Sequence, residues 1–356
     1  MRLKLVVALI AGALVFGACS TGPNGSGTSE DAKARLTAAL LQTSGGDSGT
    51  ATISLDTDTS SLTAISNGEL TEEQAQAIAD GTLTVSSKGK DPATATSLTT
   101  LDLGDQTVLE MRQVDNTLYL RADVDSIARL FGQDQAALDD ARRQAKGLGL
   151  DWIDTVFNGD WIAIKNLSQA QDQLGQTNVD QQKMLEGIAN DVTDNATVTD
   201  EGEEDGASHL VATLPIRQTL EDVLGDLGPA SQTLQGLGTG LQDVPDGEIS
   251  VDFWVAGNTI ERIRFDLLQL GKLAPTPPPD GVDKLAIDVA LSDFDGNVEP
   301  VEDAVEVDLE GLMQSLLGGL GGLGGDTGGG IDCSMLQGAP PQVIKLYKKE
   351  CPELQK

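Results

Sequence analysis

Between Glu248 and Leu291 apolar and polar residues alternate with a period of two, three times over, and no other feature of the 356-residue chain restricts its fold as strongly. Successive side chains of a strand point to opposite faces, so this is the pattern of strands buried on one side and wetted on the other. Ile249, Val251, Phe253 and Val255 share one face. Ile263, Phe265 and Leu267 continue it after a turn at Gly257-Asn258, and Leu285, Ile287, Val289 and Leu291 repeat it. Asp252, Arg262, Arg264, Lys284 and Asp288 fall opposite. Cross-strand neighbours share a face, so Phe253 meets Ile263 only across a loop with an odd number of residues. A three-residue turn, Gly257-Asn258-Thr259, satisfies this, whereas a two-residue turn would bury Arg262. The expectation is an antiparallel sheet with one apolar face.

Other segments extend the sheet. Thr50 to Leu55 and Thr82 to Lys88 read as strands, and a meander follows: Ser97 to Leu103, a Gly104-Asp105 turn, Thr107 to Val114, an Asp115-Asn116 turn, and Thr117 to Ala122. A two-residue turn at Asp115-Asn116 sets Met111 opposite Leu120 on the apolar face, which Leu118 shares. Thr28 and Asp31 resemble a capping box for a helix with Leu36 and Leu40 on one side, and Thr71 with Gln74 makes a better one for a helix through Ile78. Val124, Ile127, Leu130 and Phe131, then Ala137, Leu138, Ala141 and Ala145, mark two helices at 3.6-residue spacing. Trp152, Ile153, Val156 and Phe157 form the densest aromatic and apolar cluster, ahead of a short strand with Trp161. Core packing is the plainer use of that cluster, a cavity mouth the other. A helix capped by Ser168 runs toward Ile188, a hairpin brackets an acidic loop from Asp200 to Gly206, and Pro215 opens a helix with Ile216, Leu220, Val223, Leu224 and Leu227 on one stripe. Pro275 to Pro279 is a rigid surface connection.

The chain begins as exported proteins do. Arg2 and Lys4 precede an apolar run from Leu5 to Phe16, which is too short to span a bilayer of about 30 Å. The run ends in Gly17-Ala18-Cys19, which resembles the lipobox of bacterial lipoproteins, where the cysteine is acylated and becomes the new N-terminus. Phe16 is less usual there than Leu, and ordinary cleavage with Cys19 a bystander is the alternative. Residues 1–18 are then signal and 19–30 a lipidated, flexible tether rich in Gly, Ser and Thr, holding the protein to the outer face of the cell membrane. The formal charge of −33 argues against nucleic acid as a partner. Aromatics at 3 % argue against sugar-stacking platforms and for a core of Leu, Ile and Val.

Residues 31–307 form the main domain. Over 308–330, Leu309, Leu312, Met313, Leu316, Leu317, Leu320 and Leu323 make an apolar helical stripe laced with glycines, followed by a glycine linker. Residues 331–356 form a small helical module. In an exported chain with Cys19 lipidated, Cys333 and Cys351 are assigned to a disulfide, worth about 3 kcal/mol for a loop of that size on the chain-entropy model. The stripe is expected to dock on the domain, or else to plug or lid its apolar mouth or meet a partner.

Catalytic signatures are sparse. His209 is the single histidine, and nothing near it has the spacing of a nucleophilic triad or a zinc site. No phosphate-cradling glycine loop ends in Lys-Ser or Lys-Thr. Asp293-Phe-Asp295-Gly296-Asn297 has part of a calcium loop but lacks its terminal glutamate, so a turn is expected and no metal. Paired carboxylates carry no signal among 56 acidic residues. The expectation is a non-enzyme without cofactor.

Several stretches resemble the LppX/LprG-type lipoproteins, whose fold is LolA-like: the lipobox at Cys19, the Asp-Asn-Thr-Leu-Tyr-Leu hairpin at Asp115, the Gly-Asp-Trp-Ile start of a strand at Gly159, Ser208-His-Leu running to Pro215, Val-Asp-Phe-Trp-Val at Val251 and Leu-Ser-Asp-Phe at Leu291. The likeness covers about Asp31 to Pro300 and is one of strand and turn spacing; the tail after Val307 departs from it. It implies an α+β fold, a curved antiparallel half-barrel sheet with helices on its concave face, and an apolar cavity that in that family holds lipid acyl chains. The candidate cavity residues are Met111, Leu118, Leu120, Val251, Phe253, Val255, Ile263, Phe265, Ile287 and Val289. The expected function is carriage or presentation of a lipid or similar apolar molecule, with an envelope protein as a further partner. The other reading is a scaffold whose core is filled by its own side chains.

Overall fold

A computed structural model of the chain describes residues 29–44, 46–89, 94–147, 149–165, 189–219, 246–273 and 278–307. The signal and Cys19, the helix from Ser168 toward Ile188, most of the stripe after Pro215, Pro275 and Pro277, and everything from 308 onward, including Cys333 and Cys351, lie outside these residues.

In chain order the elements are α1 (Ser29–Ser44), β1 (Ser48–Thr57), α2 (Thr59–Ile65), α3 (Glu72–Ala79), β2 (Thr82–Lys88), β3 (Thr96–Leu103), β4 (Gln106–Val114), β5 (Thr117–Ala122), α4 (Val124–Leu130), α5 (Gln135–Gly147), α6 (Ile153–Phe157) and β6 (Ile162–Ile164). There follow β7 (Thr197–Glu204), β8 (Ala207–Pro215), β9 (Glu248–Ala256), β10 (Thr259–Asp266), α7 (Leu268–Leu273), β11 (Leu285–Ser292) and β12 (Val305–Val307). The strands form one 12-stranded sheet in the order β12-β6-β5-β4-β3-β2-β1-β11-β10-β9-β8-β7. Every pairing is antiparallel except β12 on β6. The edge strands β7 and β12 are not paired with each other, so the sheet is unclosed. The fold is α+β. The join lies in the middle, where β1 pairs with β2 on one side and with β11 on the other.

Turn chemistry sets the register. Asp115 and Asn116 both take positive φ (49° and 60°), as a two-residue I′ turn needs, and Met111 faces Leu120 as its alternation requires. At β9–β10 the expected pair Phe253–Ile263 forms, but by a different device. The turn has two residues, with Ala256 opposite Thr259 and Gly257 at φ 62°, and a bulge between Ile260 and Arg262 absorbs the odd residue. Glu261 is the extra residue, and it keeps Arg262 on the wetted face.

One further expectation needs correction, and the helices, of which those expected from Val124 and from Ala137 form as α4 and α5, add two findings. The acidic stretch from Asp200 to Glu204 is strand, with a bulge between Asp200 and Gly202, and the turn is confined to Asp205-Gly206. Phe131 is 71 % exposed, and no residue of α5 is buried, so that helix does not pack on the core. Two short helices, α2 and α7, had no periodicity to reveal them. α2 rests instead on its N-cap, where Asp58 accepts from Ser61 N. At α3 the Thr71–Gln74 capping box is present in both directions.

Candidate functional site

Residues directly opposed across a sheet share a face, so the ladder pairings trace rows of side chains from strand to strand. One row runs Leu109, Leu101, Leu83, Ile53, Val289, Ile263, Phe253, Leu210. A second holds Leu120, Met111, Thr99, Val85, Ala51 and Leu291, and a third Leu55, Ile287, Phe265, Val251 and Ala212. Val255 lies two residues from Phe253 and Leu118 two from Leu120. All ten candidate residues therefore lie on one face.

The two halves of that face differ in cover. Over β7 to β11, α1 contributes Ala32, Leu36, Ala39 and Leu40, and the helical residues 189–195 contribute Ala189 and Val192. Beneath them Phe253 and Ile263 are 3 % exposed, Phe265 and Ile287 2 %, and Val289 1 %. Polar contacts at the rim fix α1: Arg35 Nη2 reaches Asp200 Oδ2 at 2.6 Å, Lys33 Nζ donates to the Ala196 carbonyl at 2.9 Å, and the hydroxyls of Thr37 and Thr193 are 3.0 Å apart. Over β2 to β5 the same face is only half-buried: Leu83, Val85, Leu101, Leu109, Met111, Leu118 and Leu120 all keep some exposure. Leu83, Val85, Leu101 and Leu109 were not among the expected cavity residues, although the alternation of Thr82 to Lys88 carried part of the signal.

The opposite face is polar, and two clusters of charge and aromatic rings occupy it. In one, Trp254 is stacked between His209 (ring centroids 4.6 Å apart, interplanar angle 2°) and the Arg262 guanidinium (4.5 Å), and its indole N–H donates to Glu204 at 2.9 Å. His209 Nε2 lies 2.8 Å from Asp252 Oδ1. Arg262 Nε donates to both Asp288 oxygens at 2.8 and 3.0 Å, and Arg264 and Lys284 pair with Asp56. The Asp288 hydrogen bonds raise the Arg262 pKa above its ordinary value. For Asp56 burial acts to raise the pKa, but hydrogen bonds from Lys284 and Arg264, with their charges, outweigh it and hold the carboxyl below the usual value. In the second cluster Trp161 lies under both Arg112 and Arg121, each 4.9 Å from the ring, and both arginines pair with Glu110.

His209 is thus engaged by the Trp254 ring and by Asp252, and among the described residues no three His, Cys, Asp or Glu are grouped to hold a metal. A surface hollow of about 840 Å³ lies along α2 and the start of α3, lined by Asp58, Thr59, Ser60, Thr63, Asn67 and Glu72 among others. Ala64 and Gly68 complete its lining. Among the described residues no helix is long and apolar enough to cross a membrane.

No protein-family model and no curated protein matches the chain. Among solved structures, the crystal structure of LprF from Mycobacterium bovis matches with 12 % sequence identity and a TM-score of 0.37, covering 79 % of this chain and 100 % of that one.

Proposed function

We propose that this is an exported lipoprotein, anchored through Cys19, that shelters an acyl chain or similar apolar molecule against the β2–β5 half of its apolar sheet face. The observation that carries the reading is the contrast between the halves: in one, α1 and residues 189–195 bury most of the apolar side chains, with Val251 and Leu285 half-buried, and the other leaves seven large apolar side chains half-buried, of which Val85 borders the covered core. Water-facing apolar area on this scale favours an apolar occupant, since each buried methylene contributes about 0.8 kcal/mol. A chain of ~16 carbons would gain on the order of 10 kcal/mol gross, enough for retention without a charged contact. The ligand site is then Met111, Leu118 and Leu120 with Leu83, Val85, Leu101 and Leu109, while Val251, Phe253, Val255, Ile263, Phe265, Ile287 and Val289 form its floor and core. The apolar stripe from Leu309 to Leu323 is the proposed lid, with the Cys333–Cys351 module beyond it.

The scaffold reading draws support from the sealed half, where Leu, Ile, Val and Phe side chains fill the space between sheet and helix. Uptake of a fluorescent fatty acid separates the two. Carriage predicts uptake by the native chain and its loss in Leu120→Glu and Met111→Glu variants that still unfold cooperatively. No uptake by the native chain, or equal uptake by the variants, contradicts it.

A further inference from the structure

We propose that the corner between α4 and α5, led by Phe131, is the surface this protein lays against the lipid bilayer that anchors it; the proposal rests on lipidation at Cys19. Three observations converge on it. The first is exposure: Phe131 is 71 % exposed, more than Leu41 at 47 % or Val305 at 44 %, and the adjoining helix α5 has no buried residue. Nor is Phe131 at a frayed end. Gln74 of α3 donates to the Leu130 carbonyl at 2.7 Å, and Gln133 N closes back onto the Ala128 carbonyl at 2.8 Å through Gly132 at φ 68°. The ring is held outward on an ordered corner, as an interfacial anchor must be.

The second observation is position. Antiparallel pairing from β7 to β5 puts the start of β7 and the end of β5 at the same end of the sheet, and α4 follows β5 directly. Lys33, near the start of α1, bonds the carbonyl of Ala196, the residue before β7, while the other end of α1 leads to the start of β1 at the opposite end. Ser29, the first described residue, therefore lies at the end that carries the corner. The ten residues from Cys19 to Thr28 can span at most about 35 Å.

The third is charge. In a chain of −33, residues 124–147 carry four acidic and four basic side chains, Arg129, Arg142, Arg143 and Lys146 being the basic ones. The other helical corner at that end, residues 58–80, carries Asp58, Glu69, Glu72, Glu73 and Asp80 with no base. An anionic headgroup layer repels that corner and tolerates this one.

Full-length lipidated protein on vesicles of mixed phosphatidylcholine and phosphatidylglycerol tests this by hydrogen exchange, compared with the same protein in detergent micelles. Exchange over 124–147 should slow by roughly tenfold on vesicles, with 58–80 and the turns at Asp115-Asn116 and Asp205-Gly206 unchanged. Phe131→Glu should abolish that protection while the protein still floats with the vesicles and unfolds at the same denaturant concentration. Flotation without protection of 124–147, or with protection centred on the far-end turns, overturns the proposed surface and leaves the anchor standing. Failure of the native chain to float overturns both.

Discussion

Arg262 shows how much of the wetted face rests on single side chains. It stacks on Trp254 and donates to both oxygens of Asp288, whose side chain is 14 % exposed. Arg262→Ala would leave that carboxylate half-paired and expose one side of the indole. It should cost about 2 kcal/mol in denaturant unfolding and alter Trp254 fluorescence. Asp56 gives a pH dependence of definite sign. Its folded pKa lies below the unfolded value of about 3.9, so its contribution is complete above that pH and is lost as pH falls through the folded value. The stability gap between the native chain and Asp56→Asn should accordingly be larger at pH 7 than at about pH 3. A gap that widened on acidification would contradict the pairing with Arg264 and Lys284.

Elements differ in how far they could be read from residues alone. Strands were legible because burial on one face writes a period of two directly into the chain, and the β3–β4–β5 meander and the Phe253–Ile263 pair follow from it. The bulge at Glu261 was not legible: an odd loop and an even turn with a bulge satisfy the same register, and only backbone geometry separates them. Deleting Glu261 should therefore be tolerated, since Arg262 would still face Trp254 and Ile263 would still face Phe253. Deleting Arg264, also one residue, would turn Phe265 to water and prevent folding. Thermal unfolding of the two variants checks this. Helices read from apolar spacing were less secure. α1 buries Leu36 and Leu40 as expected, whereas α5 has the spacing but buries no residue and meets α6 through Arg142 and Lys146, which pair with Asp154. Where a cap rather than a stripe was the signal, α3 formed as expected, and Thr71→Ala should cost about 1 kcal/mol of stability.

For the whole molecule the decisive feature is that one apolar face runs across both halves of the chain but, among the described residues, helices bury it over only one of them. Alternation shows which residues share a face. It does not show which part of that face a helix will cover, because cover depends on where α1 and residues 189–195 come to rest. That is why six of the ten expected residues lie in a closed core, while Met111, Leu118 and Leu120 on the platform, and Val251 at the core's border, are half-buried. If the platform holds a ligand, the protein should leave its cell with one bound. Native mass spectrometry after mild purification tests this directly: the account predicts a species heavier than the polypeptide by the mass of a lipid, and loss of that species in Leu120→Glu. A native chain that carries no lipid, and takes none up when lipid is offered, would contradict it.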